Sequence, residues 1–394
     1  MRTSIKHKLL VGFSVLMLNV ANASSQTIDT TFYLITCGPG TETYSIYGHS
    51  ALRMVCPGGD IVYNWGVFDF DTPNFAWKFA KGRLNYLLAY EPFDSFLRSY
   101  LYEERYVIIQ RINLNSSEKA KMFDLINLNL QPENLQYRYD FFYDDCSTRI
   151  RDLIEKSVGD KLSYADDGKD SINPTFRQML NKYQVQYPWL DFGIDMLIGV
   201  NGDKKADFRD RMFLPIDMMA GLSDVKIAGG DETKPLLGTA EMVLDFDPPS
   251  PEKQIPGPVV VFSALFMLIL IFSFTFRKVL YLNIMDGLVF LIFSIFAILM
   301  MFFNFFTDHE QMRMNLNIIW ANPVLILCLL SLVLNRNGQV YFRIVFFITA
   351  AFLVVHLLLP QEFNTSNYPL ILILLLRSSA RSDFKWNPLT IKKE

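Results

Sequence analysis

Apolar residues follow two different rules along this chain. Over residues 29–247 they alternate with polar ones or recur at helical spacing among charges, and after Pro258 they run on almost unbroken. In the first stretch Phe32, Leu34 and Ile35 predict a strand over 31–37, which Gly38-Pro39-Gly40 turns back. Alternation resumes from His49 through Ala51, Arg53 and Val55, and Pro57-Gly58-Gly59-Asp60 predicts a hairpin turn into a return strand over 61–65. A further strand is expected over 106–114, and a helix over 116–130 capped by Ser116 or Ser117. Ile150, Leu153, Ile154 and Val158 then recur every three to four residues between Asp145, a good N-cap, and Gly159, a good stop. Helices are also expected near 175–183, over 194–200 and shortly after Pro215, lying between this domain and a bilayer. Pro248, Pro249, Pro251, Pro256 and Pro258 mark a stiff linker.

Beyond the linker, the uncharged runs over 259–276, 287–306, 318–334 and 340–359 are each long enough to span a membrane. A fifth, around 365–380, is short and carries Arg377, so four or five spans are expected. Alternation of the spans puts Arg277, Lys278, Arg336, Arg343, Arg377, Arg381, Lys385, Lys392 and Lys393 on one side, whereas the opposite loops, 307–317 and 361–367, contain only Arg313. That bias assigns the basic side to the cytoplasm and the N-terminal domain to the exported side. Arg2, Lys6 and Lys8, the apolar run 9–20 and Ala21-Asn22-Ala23 predict an export signal cleaved after Ala23; the run is short for the alternative, an uncleaved anchor. The expected organisation is therefore a signal peptide (1–23), an exported α+β domain (24–247), a linker (248–258), an all-α transmembrane bundle (259–380) and a cytoplasmic tail (381–394).

Composition sharpens this picture. Of 394 residues 51% are hydrophobic, and a mean hydropathy of +0.19 is too high for a wholly soluble enzyme. A net charge of −3 with no Lys/Arg stripe argues against a nucleic-acid partner.

Candidate chemistry centres on Cys146. On the first turn of its helix, the helix dipole and unpaired N–H groups favour thiolate over thiol and can hold an oxyanion. Asp140, Asp144 and Asp145 pull the other way and Arg149 and Arg151 offset them only in part, so a nearby imidazolium is needed. Of four histidines, His7 lies in the signal and His309 and His356 lie in or beside spans, which leaves His49 as the general base. With the turn near Gly58, Asn64 comes within a few positions of facing His49 and can orient its ring as the third member of a triad; Asp69 is the runner-up. One histidine without a Cys/Asp cluster makes no zinc site, and no cofactor is implied. Cys37 and Cys56 either pair in the oxidising compartment, leaving Cys146 free, or all three stay unpaired; Cys328 lies in a span. The rings of Phe68, Phe70, Phe75, Trp77, Phe79 and Tyr86 are expected mostly in the core, with an acyl-chain groove as the alternative. His309 is expected in a solvated loop, and His356 has no assigned role.

Asp145-Cys146-Ser147 at a helix start resembles the nucleophile motif of NlpC/P60 cysteine peptidases, and a histidine 97 residues before the cysteine matches their circularly permuted relatives, lecithin:retinol acyltransferase among them. Gly38-Pro39-Gly40, Gly48-His49-Ser50, Tyr63-Asn64-Trp65-Gly66, Phe68-Asp69-Phe70, Pro73-Asn74-Phe75, Tyr139-Asp140-Phe141-Phe142 and Asp145-Cys146-Ser147-Thr148 more closely resemble the Lnb family of Bacteroidota, over most of the chain. The resemblance implies a permuted NlpC/P60-like (papain-like) periplasmic domain on the bacterial inner membrane, with lipoprotein N-acyltransferase activity. It implies Cys146 as nucleophile and His49 as base, a phospholipid acyl donor and a diacylated lipoprotein acceptor. The family's usual Asn before the cysteine is Asp145 here, which removes a side-chain amide from the expected oxyanion hole. A membrane-tethered peptidoglycan peptidase or a phospholipase would use the same pair, and a non-enzymatic binding module would use neither.

Overall fold

In the computed structural model, which describes residues 30–164, 173–229, 232–250, 255–276 and 278–391, the alternating stretches form a seven-stranded antiparallel sheet. The expected signal and its cleavage after Ala23 lie outside the described residues, as do Arg277, Lys392 and Lys393. In chain order the strands are β1 (Thr31–Cys37), β2 (His49–Cys56), β3 (Gly59–Val67), β4 (Asn85–Pro92), β5 (Val107–Ile112), β6 (Gln136–Arg138), β7 (Leu162–Ser163), β8 (Lys226–Gly229), β9 (Glu232–Pro235) and β10 (Glu241–Leu244). The large sheet runs β10-β5-β1-β2-β3-β4-β6, and β7-β8-β9 form a small one. The helices are α1 (Phe75–Ala80), α2 (Phe93–Tyr102), α3 (Ser116–Leu130), α4 (Cys146–Val158), α5 (Phe176–Gln184), α6 (Pro188–Leu197), α7 (Pro215–Ser223), α8 (Pro258–Thr275), α9 (Val279–Phe305), α10 (Val324–Val333), α11 (Gln339–Val355) and α12 (Asn367–Arg381).

Successive residues of a strand face opposite sides, and both sides of β2 are covered. Ala51 joins Ile35, Cys37, Val62, Val107 and Ile109 in a core closed by Phe93, Phe96 and Tyr100 of α2. Its neighbour Ser50 meets Ser147 of α4 at 3.2 Å between hydroxyls. Two helix starts differ from expectation for local reasons. Asn115, not a serine, caps α3, because its side chain accepts the Glu118 N–H while the Glu118 carboxylate takes the Asn115 N–H. Pro188 at the first position starts α6 earlier than the apolar run alone implied.

The chain divides into two compact units. Of the described residues, those within 1–71, 85–171 and 208–249 form the first, whereas those within 72–84 and 172–207 join those within 250–394 in the second. Among the described residues four stretches are long and apolar enough to cross a membrane: Pro258–Thr275, Val279–Phe305, Leu316–Val333 and Gln339–Leu358. The expected fifth is the 15-residue α12, which is mostly buried and carries a charge. Asp286 of α9, wholly buried, takes two bonds from Arg377 at 2.6 and 3.0 Å and one from Arg381, and Arg377 also donates to Ser273 of α8. Polar groups secure the opposite end of the bundle: Asn315 donates to the Met196 carbonyl at 2.7 Å and Asn201 to the Glu310 carbonyl at 2.6 Å.

Of the two cysteine alternatives the unpaired one holds, and the aromatic expectation is corrected. Cys37 and Cys56 are not bridged, because Cys37 faces His49 at one end of β2 while Cys56 ends that strand seven residues on. At about 3.3 Å per residue the separation is far too long for a disulfide. Phe70, Trp77 and Phe79 do not fill the core but are 66%, 58% and 51% exposed; Trp77 and Phe79 lie on α1, which has no buried residue, and Phe70 precedes it in a turn.

Candidate active site

Two strands and one helix of the first unit bring the chemistry-bearing residues together. Gly48, at φ +82°, turns the chain into β2 so close to β1 that a Cβ there would stand 2.7 Å from the Cys37 carbonyl oxygen; His49 follows at once. The hairpin turn fixes the register of β3 against β2, and the Asn64 amide reaches the ring, with His49 Nε2 2.6 Å from Asn64 Oδ1. A carbonyl oxygen only accepts, so Nε2 carries the proton and Nδ1 keeps a lone pair. Two residues further, Gly66 at φ +89° interrupts the β3–β4 register between Asn64 and Val67. A Cβ at Gly66 would lie 3.5 Å from the Tyr139 ring and 3.9 Å from Cys146 Cβ, so the start of α4 rests on this kink.

Cys146 is 7% exposed. Asp145 caps its helix by accepting the N–H groups of Ser147 and Thr148 at 2.9 and 2.8 Å, and the Thr148 hydroxyl completes the reciprocal box. The backbone N–H groups of Ser50, Ser147 and Cys146 itself favour the charged sulfur, which lies 3.9 Å from the Ser147 hydroxyl. Among the described residues no hydrogen bond joins Sγ directly to the imidazole; Ser50, whose N–H favours the charged sulfur, is next in sequence to His49. The neighbouring carboxylates are engaged locally. Asp144 forms a two-bond ion pair with Arg149, Asp140 accepts the N–H groups of Phe142 and Tyr143, and Arg151 is drawn off to Asp152 and the Arg209 carbonyl.

Burial decides the protonation states. It pushes the Cys146 thiol up against the pull of its N–H donors. It also pushes the His49 imidazole down to about 4; the Asn64 bond opposes this and the Arg105 charge adds to it. The expectation that the first turn favours thiolate is corrected accordingly: the resting pair is neutral thiol and neutral imidazole, because desolvation outweighs dipole and N–H donors. Burial raises the Asp145 carboxyl as well.

Cys37 was not expected here. It faces His49 across β1–β2, its thiol is bonded to Tyr100, and burial raises it to about 12, which leaves it inert. Sequence spacing alone does not mark Ser50, Gly66 or Tyr139 as site residues; a glycine inside a strand is the one signal for the kink. Asp69, the alternative third member, sits in a turn and accepts the Asp71 N–H. His309 and His356 belong to the second unit, where His309 bonds the Phe79 carbonyl at 2.8 Å and His356 the Leu353 carbonyl at 3.0 Å. The arrangement of a buried thiol, N–H donors and an oriented imidazole with a free nitrogen suits attack on an acyl carbon followed by anion stabilisation.

Residues 19–182 match the family model described as the Lnb N-terminal periplasmic domain, and residues 250–385 match the one described as the Lnb transmembrane domain. No curated protein and no solved structure matches the chain.

Proposed function

The chain belongs to the Lnb family, a membrane protein with a periplasmic domain, and from that premise we propose that it is a lipoprotein N-acyltransferase of the bacterial inner membrane. The donor is a membrane phospholipid and the acceptor the α-amine of a diacylglyceryl-cysteine at a lipoprotein N-terminus. His49 Nδ1 takes the Cys146 proton as the sulfur attacks an ester carbonyl of the phospholipid. The Asp145 cap already claims the Ser147 and Thr148 N–H groups, so those of Cys146 and Ser50 are the donors left for the oxyanion. Collapse breaks the ester C–O bond, the imidazolium protonates the departing lysophospholipid, and the acyl group stays on sulfur as a thioester. The amine then attacks, His49 takes its proton, the C–S bond breaks and the proton returns to sulfur. A neutral imidazole is the form both deprotonations require.

The observation that carries this reading is the bond of 2.6 Å between His49 Nε2 and Asn64 Oδ1, which leaves the Nδ1 lone pair free on the residue next in sequence to Ser50, whose N–H favours the charged Cys146 sulfur. The test mixes purified full-length protein in phospholipid nanodiscs with a synthetic diacylated lipopeptide and weighs the products. A peptide heavier by one acyl group, lost in Cys146→Ser, supports the transferase. Free fatty acid without peptide gain indicates a phospholipase, and neither product refutes acyl chemistry on lipid.

A further inference from the structure

The connection between β3 and β4 leaves the first unit at Thr72 and rejoins it at Asn85, and in between it is built onto the end of a membrane span. Thr307 donates its hydroxyl to the Ala80 carbonyl at 3.1 Å, the Asp308 N–H donates to the Lys81 carbonyl at 2.9 Å, and His309 Nε2 lies 2.8 Å from the Phe79 carbonyl oxygen. Arg83 pairs with Asp308 at 2.6 Å. Gly82 fits so closely that a Cβ would stand 3.0 Å from the His309 nitrogen. The Trp77 ring lies 5.7 Å from Phe302, within the last turn of α9, so Trp77 is level with the end of that span.

Despite this firm seating, the outer side of the segment is greasy and basic. Trp77 and Phe79 are more than half exposed, as are Phe305 and Phe306 where α9 ends. Lys78 lies on the same short helix, and the Lys81 ammonium stands 5.3 Å from the centre of the Trp77 ring. Tryptophan and phenylalanine mixed with lysine, continuous with the lipid-facing end of a span, is the composition that settles at the boundary between headgroups and acyl chains. We propose that residues 72–84 form an interfacial anchor, with Trp77 and Phe79 inserted among the lipid glycerol backbones of the periplasmic leaflet and Lys78 and Lys81 paired with lipid phosphates.

Its test uses the full-length protein in nanodiscs whose lipids are brominated either near the glycerol end of the chain or near the tail, compared with Trp77→Phe. The difference in emission isolates Trp77. We expect that share to be quenched roughly twofold or more by the shallow bromines, less by the deep ones, and scarcely by aqueous iodide. Phe79→Trp in the Trp77→Phe background should restore a component with the same depth. Iodide quenching with no effect of either bromine would overturn the anchor, as would shielding that disappears when each disc holds a single copy, since the cover would then be a second chain. Fluorescence reads depth without turnover, so failure here leaves the catalytic reading standing, and an inactive but shallow-quenched protein leaves the anchor standing.

Discussion

Asp286 and Arg377 in the membrane unit are buried at least as deeply as Cys146 and His49 in the first, yet the two clusters are finished in different ways. Each Arg377 nitrogen has a partner, and Asp286 is met by two guanidinium groups. At the candidate active site one imidazole nitrogen is fixed by Asn64 while the other is left with its lone pair, and the thiol receives N–H groups without losing its proton. A buried ionisable group with every hydrogen-bonding function matched is held in one charge state and contributes to architecture. One left with a single unmatched function in a dry site can change state when a substrate arrives.

The sharpest way to break that contrast is to remove one member from each cluster. Cys146→Ser should lower acyl transfer by about a thousandfold or more while leaving the unfolding temperature within a few degrees, because a hydroxyl replaces a thiol of nearly the same size. Asp286→Ala should do the reverse. It strands two guanidinium groups at a buried site, a loss of about 3–5 kcal/mol, so thermal unfolding in nanodiscs should shift strongly while the surviving folded fraction keeps its turnover. If Cys146→Ser protein still acylates, or Asp286→Ala is as stable as the parent, the division between working and structural clusters fails.

Next in size is the pH response of the unfinished cluster. His49 is lowered from 6.5 to about 4, so the folded state binds fewer protons than the unfolded chain between those values. Its contribution is fully present above pH 6.5, declines as pH falls, and levels off near 4, a loss of up to about 3 kcal/mol readable by unfolding at a series of pH values. Turnover should follow the same group, with an acid limb near 4 and no alkaline limb from the imidazole. The second half-reaction should instead rise with pH as the acceptor amine, with an ordinary value of about 8, loses its proton. A preformed thiolate–imidazolium pair would produce an alkaline decline, and observing one would refute the neutral resting state.

Sequence reasoning reached further in one cluster than in the other. Pro57-Gly58-Gly59-Asp60 sets a tight turn, so counting outward from it places Asn64 near His49, and the two side chains do meet. Asp145 followed by Ile150, Leu153 and Ile154 defines α4 and its capped start in the same local way. Protonation is not local: burial by α2, α4 and the sheet sets it, and no spacing rule reports that. The Asp286–Arg377 pair joins residues 91 apart, and in sequence Arg377 counts only as a positive charge near a span end. Trp77 and Phe79 have the composition of core residues, and only the excursion of 72–84 into the second unit shows them exposed.

A smaller effect tests the support beneath the sulfur. Gly66→Ala forces a side chain into φ +89° while adding only ordinary contacts to Tyr139 and Cys146. The expected destabilisation is about 1–3 kcal/mol. Activity should fall further than stability explains, because relaxing the kink moves Asn64 and the start of α4 relative to each other. Equal losses in both, measured by unfolding and by initial rate on the same preparation, would reduce Gly66 to a structural residue.

The smallest expected effect separates the two candidates for the third member. Asn64 accepts the imidazole proton within 2.6 Å, so Asn64→Ala should lower turnover by about ten- to a hundredfold and free the ring to adopt the other tautomer. Asp69 accepts the N–H of Asp71 at 2.9 Å in an exposed turn, so Asp69→Ala removes a local turn bond and no support for the ring. Turnover should change by less than about twofold, and the acid limb near 4 should stay in place, since surface substitutions of this kind alter stability by about 0.5 kcal/mol. If instead Asp69→Ala shifts that limb while Asn64→Ala does not, the carboxylate is what orients His49 and the hairpin register has been given the wrong role.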